Sequence, residues 1–263
     1  MTASLLRVAE SVAARAGRKV SPLTTSIVTE PETALADKNF LPGPVLLLGA
    51  PGVGKGTQAK ALMAAYGIPQ VSTGDILRAN ISKGTELGKA AKALVDQGTL
   101  VSDDLVNQMV ADRLKQPDTR RGFILDGFPR TLNQATWLDT QLSADPNTLP
   151  VVAISIVVDY EQLLHRITGR RISPAGRIYN IYSNPPAVAG ICDVDGSTLV
   201  QRPDDSEAVF VERMKTFEAQ TAPVIEHYRK QGRFEEIDGD HSVEQVTAEI
   251  TAALKRLRNS SDQ

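Results

Sequence analysis

Nine consecutive residues decide the fold of this chain: Gly49-Ala50-Pro51-Gly52-Val53-Gly54-Lys55-Gly56-Thr57. The apolar run Val45–Gly49 leads into this stretch and is typical of a strand buried on both faces. A helical pattern follows from about Gly56 to Tyr66. Glycines between a strand and a helix let backbone N–H groups approach phosphate oxygens, and the helix N-terminus adds partial positive charge. The stretch, called the phosphate loop below, therefore predicts binding of a nucleoside triphosphate, with Lys55 reaching its outer phosphates.

The rest of the chain predicts an α/β fold with a central parallel sheet. Short apolar runs alternate with longer helical patterns after Pro44, as in sheets that helices cover on both faces. Further strands are predicted at Pro69–Ser72, Phe123–Asp126, Val152–Val158 and Phe234–Ile237. Further helices are predicted at Glu86–Gln97, Ser102–Lys115, Asn133–Leu142, Tyr160–Ile167, Ser206–Gln231 and Val243–Leu257.

Two insertions interrupt this alternation. Residues 73–101 are mostly helical and join two predicted strands, whereas residues 171–201 are rich in proline and glycine and contain short β-like pieces such as Arg177–Tyr182. A long insertion of the second kind inside a compact domain is usually functional, and often a lid.

Composition narrows the classes of partner. The 263 residues carry a formal net charge of −2, whereas nucleic-acid binders are usually basic, so no nucleic-acid partner is expected. The single cysteine, Cys192, allows no disulfide framework. No apolar run approaches the roughly 20 residues of a membrane span, so no membrane partner is expected either.

The N-terminal arm, residues 1–42, differs from the remainder. Its first part holds four basic residues against Glu10, and Leu5, Val8, Ala9 and Val12 share one face of a possible helix. These features are typical of an organellar transit peptide, which would direct the chain to a mitochondrion or another organelle. Glu10 is atypical of such a peptide and no cleavage site is evident, so a disordered arm on a cytoplasmic protein is the alternative.

Four further segments identify a family. Ser72-Thr73-Gly74-Asp75-Ile76-Leu77-Arg78 follows the second strand, and Leu125-Asp126-Gly127-Phe128-Pro129-Arg130 ends the third. Gly169-Arg170-Arg171 opens the second insertion, and Gln201-Arg202-Pro203-Asp204-Asp205 closes it. Together with the phosphate loop, these segments resemble the adenylate kinases from about Val45 to Ile237. The ordered set is far more specific than the loop, which by itself does not separate a kinase from a regulatory GTPase or a motor.

The resemblance implies a P-loop kinase fold with a central parallel sheet flanked by helices, plus a helical nucleoside-monophosphate-binding insertion and a lid insertion. The implied parts are an arm at 1–42, a kinase domain at 43–258 and a tail at 259–263. Within the domain, the core comprises 43–71, 102–168 and 206–258, the nucleoside-monophosphate-binding insertion 72–101, and the lid 169–205. A monomer is expected.

The same resemblance implies reversible phosphoryl transfer from ATP with Mg²⁺ to AMP, giving two ADP. Transfer from GTP to AMP is an alternative, because donor-base contacts in the family are largely backbone and stacking. Uridylate and cytidylate kinases generally have a short lid, whereas this one is long. A regulatory P-loop protein is the rival from another class, but the chain lacks the Asn-Lys-x-Asp segment that a switch GTPase uses to recognise guanine.

Arginine suits this chemistry because it stays charged and presents a planar fork to phosphate. The catalytic residues that the resemblance implies are Lys55, Arg78, Arg130, Arg170, Arg202 and Arg213, with Asp204 and Asp205 orienting lid arginines. Donor contacts are implied for Gly52, Val53, Gly54, Lys55, Gly56, Thr57, Arg166, Arg170, Ile178, Tyr179 and His241. Arg166 and Tyr179 are expected to flank the donor base. Acceptor contacts are implied for Thr73, Arg78, Thr99, Leu100, Val101, Gly127, Phe128, Pro129, Arg130, Gln134, Arg202 and Arg213. Thr73 and Gln134 are expected to face adenine.

Two expectations concern metals. Asp126 ends a strand near the phosphate loop, where a carboxylate can hold the water shell of Mg²⁺. Some family members carry four zinc ligands in the lid as two Cys-x-x-Cys pairs. Here Ser173-Pro174-Ala175-Gly176 replaces the first pair, and only Cys192 and Asp195 remain of the second. Two ligands do not complete a tetrahedral zinc site, so no structural zinc is expected.

Overall fold

The computed structural model describes residues 40–97 and 100–260. Most of the predicted arm, together with its predicted amphipathic helix, lies outside the described residues. Thr99, expected near the acceptor base, and the last three residues of the predicted tail also lie outside them. These expectations therefore stay predictions.

Seven strands form two sheets within the described residues. In chain order they are β1 (Gly43–Leu48), β2 (Gln70–Ser72), β3 (Gly122–Asp126), β4 (Val152–Val157), β5 (Arg170–Ile172), β6 (Ile178–Asn180) and β7 (Phe234–Asp238). The large sheet has the order β2-β3-β1-β4-β7, and all its neighbouring strands run parallel. The second sheet is the antiparallel pair β5–β6. The predicted central parallel sheet is thus confirmed.

Nine helices accompany these strands in the described part of the chain. They are α1 (Lys55–Tyr66), α2 (Thr73–Lys83), α3 (Glu86–Gln97), α4 (Asp103–Leu114), α5 (Leu132–Ser143), α6 (Tyr160–Thr168), α7 (Glu207–Thr216), α8 (Ala222–Lys230) and α9 (Val243–Ser260). The ends of the predicted helices lie within three residues of these bounds, except that the predicted Ser206–Gln231 helix is broken.

A π-helical turn at Phe217–Thr221 makes that break between α7 and α8. Such turns widen a helix by one residue and occur frequently at functional sites. Here the hydroxyl of Thr221 donates to the carbonyl of Arg130 across 2.9 Å. The turn thus connects the long helical segment to the loop that follows β3.

The core lies on both faces of β1, which is buried along its whole length. Val45 and Leu47 pack on one face in a cluster that includes residues of α1 and α9. Leu46 and Leu48 pack on the other face with residues of α4, α5 and α8. Burial of each such aliphatic side chain contributes about 1.5–3 kcal/mol, so the strand that leads into the phosphate loop is firmly held.

Arg258 of α9 joins the N-terminal ends of the two central strands. Its buried guanidinium donates to the carbonyls of Pro42 and Pro44 at β1, and to that of Pro150 just before β4. Buried carbonyls need such donors because an unpaired one costs about the free energy of a lost hydrogen bond. These hydrogen bonds hold the amino-terminal ends of β1 and β4, at the end of the sheet opposite the phosphate loop.

Candidate active site

The phosphate loop spans the gap between Leu48, where β1 ends, and Lys55, where α1 begins. Gly52 and Gly54 adopt φ values of 87° and 104°, which residues with a Cβ rarely take. A Cβ on Gly52 would also lie 2.8 Å from a side-chain carbon of Ile167. The loop conformation thus depends on glycine, and it places the loop and the first turn of α1 at the carboxyl end of the sheet.

Lys55 carries a buried positive charge at this loop. Its ammonium donates to the carbonyl oxygens of Gly49 at 2.7 Å and Ala50 at 3.0 Å. Burial lowers the pKa of Lys55 to about 8; Asp126 opposes this change, and three nearby arginines add to it. Because the site disfavours the charged form of Lys55, a bound anion would stabilise that form.

Asp126 ends β3, the strand beside β1, and approaches the first turn of α1. Its Oδ2 accepts a hydrogen bond of 2.9 Å from the side-chain amide of Gln70. The same oxygen would lie 3.7 Å from a Cβ built on Gly56. The carboxylate therefore lies next to the loop that would hold the donor phosphates.

The candidate arginines come from separate elements, and three of them donate hydrogen bonds to carboxylates. Arg78 donates to Asp75 at 2.6 Å. Arg213 donates to Asp204 at 2.9 Å, and Arg170 makes a two-bond contact with the fully buried Asp205. Asp205 thus pairs with the lid residue Arg170, whereas the partner of Asp204 is Arg213 of α7, outside the expected lid.

The pKa values of two of these arginines reflect their crowding. Burial lowers the pKa of Arg202 to about 10, and the neighbouring Arg170 and Arg78 contribute. Burial also lowers the pKa of Arg213 to about 10, with Asp204 opposing and Arg130 contributing. Both stay cationic at neutral pH, so the cluster is a concentrated positive field that would attract phosphate.

Two adjacent pockets open at this cluster. Pocket A is lined by residues that include Thr73, Leu77, Arg78, Val101, Val106 and Gln134. Pocket B is lined by residues that include Gly49, Pro51, Lys55, Phe128, Pro129 and Phe217. Both pockets share Leu100, Gly127, Arg130 and Arg213. Two of the candidate arginines therefore stand at the boundary between the pockets.

Gln134 and Thr73 of pocket A have internal partners. The side-chain oxygen of Gln134 accepts from the backbone N–H of Arg130, and its nitrogen donates to Asp103, each across 2.7 Å. The hydroxyl of Thr73 donates to the carbonyl of Gly127 at 2.8 Å. Sequence reasoning did not identify Asp103, because an acidic residue in the first turn of a helix is common without any site.

Of the predicted donor-base residues Arg166 and His241, Arg166 contacts the phosphate loop directly. Arg166 donates to the carbonyl of Val53 at 3.4 Å and to that of Gly239 at 3.0 Å. His241 is exposed, with a ring nitrogen 3.7 Å from Asp238. Arg166 thus connects the loop to the segment after β7, which includes His241.

Tyr179 does not have the surface position expected of a residue that flanks the donor base. Its side chain is buried and forms a small cluster with Cys192 and Leu199 inside the lid. Its hydroxyl accepts from the backbone N–H of Asp193 at 3.0 Å and lies 3.5 Å from the sulfur of Cys192. Successive residues of a strand face opposite sides, so the exposed neighbour Ile178 occupies the outer face instead.

Further hydrogen bonds and an ion pair connect the turns of the lid around this cluster. Arg177 pairs with Asp195 at 2.7 Å, and Ser197 donates to the same carboxylate from its hydroxyl and its backbone. Within the described residues, no group of three or more His, Cys, Asp and Glu side chains is placed to hold a metal ion. The expectation about zinc stays a prediction.

Comparison with known proteins gives a consistent result. Residues 47–233 match the family model described as Adenylate kinase. The chain is 47% identical over 215 residues to the adenylate kinase of Nitrosococcus oceani, covering 81% of this chain and 99% of that protein. It is 46% identical to the enzymes of Thermodesulfovibrio yellowstonii, over 213 residues, and Archaeoglobus fulgidus, over 216. These matches cover 81% and 82% of this chain, and 99% of each relative.

Proposed function

The chain belongs to the adenylate kinase family, and we propose that pockets A and B carry out the family's reaction in this protein. That reaction is reversible transfer of a phosphoryl group from ATP to AMP, which gives two ADP. Pocket B, next to the phosphate loop, holds the outer phosphates of ATP, and pocket A holds AMP. Family membership does not favour the alternative of a regulatory P-loop protein.

One observation supports this proposal above the others: the two pockets share Arg130 and Arg213 at their boundary. A phosphoryl group in transit carries charge on its equatorial oxygens and must be stabilised between donor and acceptor. Two arginines common to both pockets are placed for that purpose. Their positive charge also offsets the repulsion between the two bound nucleotides.

The chain's own residues supply binding, orientation and exclusion of water. Lys55 exchanges the loop carbonyls of Gly49 and Ala50 for phosphate oxygens. Arg78 releases Asp75 and holds the phosphate of AMP. Because the attacking phosphate is already ionised at neutral pH, the transfer needs no general base. Arg170 and Arg202 approach with the lid, which excludes water that would otherwise hydrolyse ATP.

Magnesium fits the residues at the phosphate loop. Mg²⁺ prefers oxygen ligands and keeps several waters, and the carboxylate of Asp126 lies beside the first turn of α1. We propose that Asp126 holds Mg²⁺ through water, with Thr57 close by at the start of the helix. When bound, the ion neutralises charge on the ATP phosphates.

The lid is proposed to function without zinc. The Arg177–Asp195 pair and the Tyr179–Cys192 contact connect its strands and turns. Metal analysis of the purified full chain should therefore find no stoichiometric zinc, and a chelator should leave the melting temperature unchanged. One tightly bound zinc per chain would contradict this proposal.

The proposed partners are small nucleotides, and the proposed state is a monomer. None of the helices in residues 40–97 and 100–260 combines the length and apolar character that crossing a bilayer requires. Size-exclusion chromatography with light scattering would test the monomer.

A phosphoryl-transfer assay with a panel of donors and acceptors tests the proposed function. The full chain is incubated with Mg²⁺ and with ATP or GTP as donor, against AMP, CMP or UMP as acceptor. ADP should form from ATP and AMP, with the pyrimidine nucleotides much poorer. Absence of ADP from ATP and AMP would overturn the proposal, whereas faster turnover with GTP would change the donor only.

A further inference from the structure

We infer that Asp103 is a positioning residue that makes pocket A select adenine over 6-oxopurines, by fixing the orientation of the Gln134 side-chain amide. This inference rests on the proposed binding of AMP in pocket A. Asp103 itself does not line the pocket, whereas Gln134 does. Asp103 therefore acts on the base through its contact with Gln134.

The Gln134 amide is fixed on both sides. Its oxygen accepts from the backbone N–H of Arg130, and its nitrogen donates to Oδ1 of Asp103, each across 2.7 Å. Oδ2 of Asp103 accepts in turn from the hydroxyl of Thr131 at 2.8 Å. Gln134 is only 2% exposed, so water does not compete effectively for these bonds.

The partners determine which way the amide points. A backbone N–H can only donate, and a carboxylate can only accept. Turning the amide of Gln134 by 180° would place its NH₂ against the N–H of Arg130 and its oxygen against the carboxylate of Asp103. Both hydrogen bonds would be lost and two repulsive contacts would form in a buried site, so one orientation is strongly favoured.

One donor and one acceptor on Gln134 remain for a ligand. The nitrogen keeps a second N–H, and the oxygen keeps a second lone pair. Adenine presents a complementary edge, with an acceptor at N1 and a donor at the 6-amino group. Hypoxanthine and guanine present the reverse pattern, a donor at N1 and an acceptor at O6. A glutamine amide that turns freely could form hydrogen bonds with either edge, whereas one fixed in this orientation matches adenine alone.

A role confined to helix stability does not account for these contacts. Asp103 lies in the first turn of α4, where any acidic residue interacts favourably with the helix dipole. Asp104 occupies the same turn and is exposed. Of the two acids, Asp103 alone bonds to Thr131 and Gln134, at the start of α5 and 28 and 31 residues further along the chain. The pair of neighbouring acids thus offers a matched control.

The test compares AMP with IMP, whose base is nearly isosteric with adenine but has the reversed edge. Initial rates with ATP as donor give kcat/KM for each acceptor in the full-length wild type, Asp103→Asn and Asp104→Asn. An asparagine at position 103 can turn to donate to a reversed Gln134, which removes the barrier on that side. We expect the ratio of kcat/KM for AMP to that for IMP to fall about tenfold or more in Asp103→Asn, in line with a buried bond to a charged group.

The division between KM and kcat separates positioning from a general structural defect. In Asp103→Asn the KM for AMP should rise while kcat at saturating AMP changes little, and Asp104→Asn should match the wild type in both. If Asp103→Asn does not fold, Asp103→Ala carries the same test, since it too removes the carboxylate. A correctly folded variant that keeps the wild-type AMP-to-IMP ratio would overturn the inference. Failure of the wild type to phosphorylate AMP would instead refute the proposed function.

Discussion

The phosphate loop and the arginine cluster both present positive charge to phosphate, but they are built differently. The loop is one continuous stretch, and its shape depends on glycine dihedral angles and on the strand and helix at its ends. The arginines come from separate elements between residues 78 and 213, and they would contact phosphate through flexible side chains. A site made of backbone is formed as soon as its local fold is formed, whereas a site made of side chains depends on the tertiary structure.

The two regions also differ in their partners before substrate arrives. Lys55 of the loop is paired with neutral carbonyls, whereas Arg78, Arg170 and Arg213 are paired with carboxylates. Phosphate must therefore compete with a carboxylate in the cluster, but only with carbonyl dipoles in the loop. We expect the loop to govern donor affinity and the cluster to govern turnover.

Replacing Arg130 with alanine tests the cluster. Its guanidinium stands at the boundary of the two pockets and donates to the carbonyl of Gly127 at 2.8 Å. The loss of one preorganised charge next to the transferred group should lower kcat about 100- to 1,000-fold. Steady-state kinetics with ATP and AMP measures the change.

Arg121→Ala is the matched control, because Arg121 is exposed and lies outside both pockets. It should retain wild-type kinetics. Affinity for ATP, measured by calorimetry, should stay within a few-fold of wild type in Arg130→Ala. Near-normal turnover of Arg130→Ala, or a loss confined to ATP affinity, would contradict the proposal that the loop governs donor affinity and the cluster governs turnover.

Gly52→Ala and Gly54→Ala test the loop. Both positions have positive φ, but a Cβ at Gly52 would clash with Ile167, whereas one at Gly54 meets nothing within 4 Å. Left-handed backbone costs a residue with a Cβ about 1–2 kcal/mol, so both changes should weaken ATP binding by about tenfold. Gly52→Ala should bind ATP more weakly than Gly54→Ala and should also have the lower melting temperature.

Calorimetric titration with ATP and a thermal melt of each variant give the comparison. Equal affinity and equal stability of the two variants would mean that the contact with Ile167 does not hold the loop. A defect in kcat without one in affinity would place the loop's role in turnover instead.

The pH dependence of ATP binding should show the smallest effect of the three. Lys55 has a pKa of about 8 in the free protein, and bound phosphate favours its charged form. Above about pH 8, binding must therefore take up a proton, and affinity should fall by at most about tenfold per pH unit. Calorimetry in buffers of different ionisation enthalpy, on either side of this pH, detects the proton.

The stability of the free protein should change in the opposite direction. The folded pKa of Lys55 lies below its ordinary value of 10.5, so the unfolded chain binds more protons between about pH 8 and 10.5. The free energy of unfolding therefore gains a contribution that rises with pH across this window. Lys55→Arg, whose side chain stays charged throughout, should lose both effects. Binding without proton uptake in the wild type would show that Lys55 is already charged there.

The sequence predicted the sheet and the phosphate loop well because both depend on local patterns. Val45–Gly49 was predicted within two residues of β1, and Glu86–Gln97 coincides with α3. In these segments a continuous apolar run or a helical period determines the element directly. The break at Phe217–Thr221 was not predicted, since no period marks a π-helical turn in an otherwise helical pattern.

The base-binding residues were harder to predict, because their roles depend on which side chain meets which across the fold. Tyr179 and Ile178 are neighbours in β6, and only the packing of the lid decides which one is buried. Asp103 contacts Gln134 because the first turns of α4 and α5 lie side by side, although the two residues are 31 positions apart in the sequence. Sequence patterns indicated neither contact.

The contact of Arg258 has a consequence for synthesis on the ribosome. The carbonyl of Pro42 receives its donor from a residue that follows it by 216 positions. At translation rates of about 5–20 residues per second, this donor is made roughly 10 to 40 seconds after the strand that it secures. β1 therefore leaves the ribosome long before Arg258 can bind the carbonyls at its amino-terminal end, which lies opposite the phosphate loop. A nascent chain halted before α9 should expose that end to proteases and chaperones.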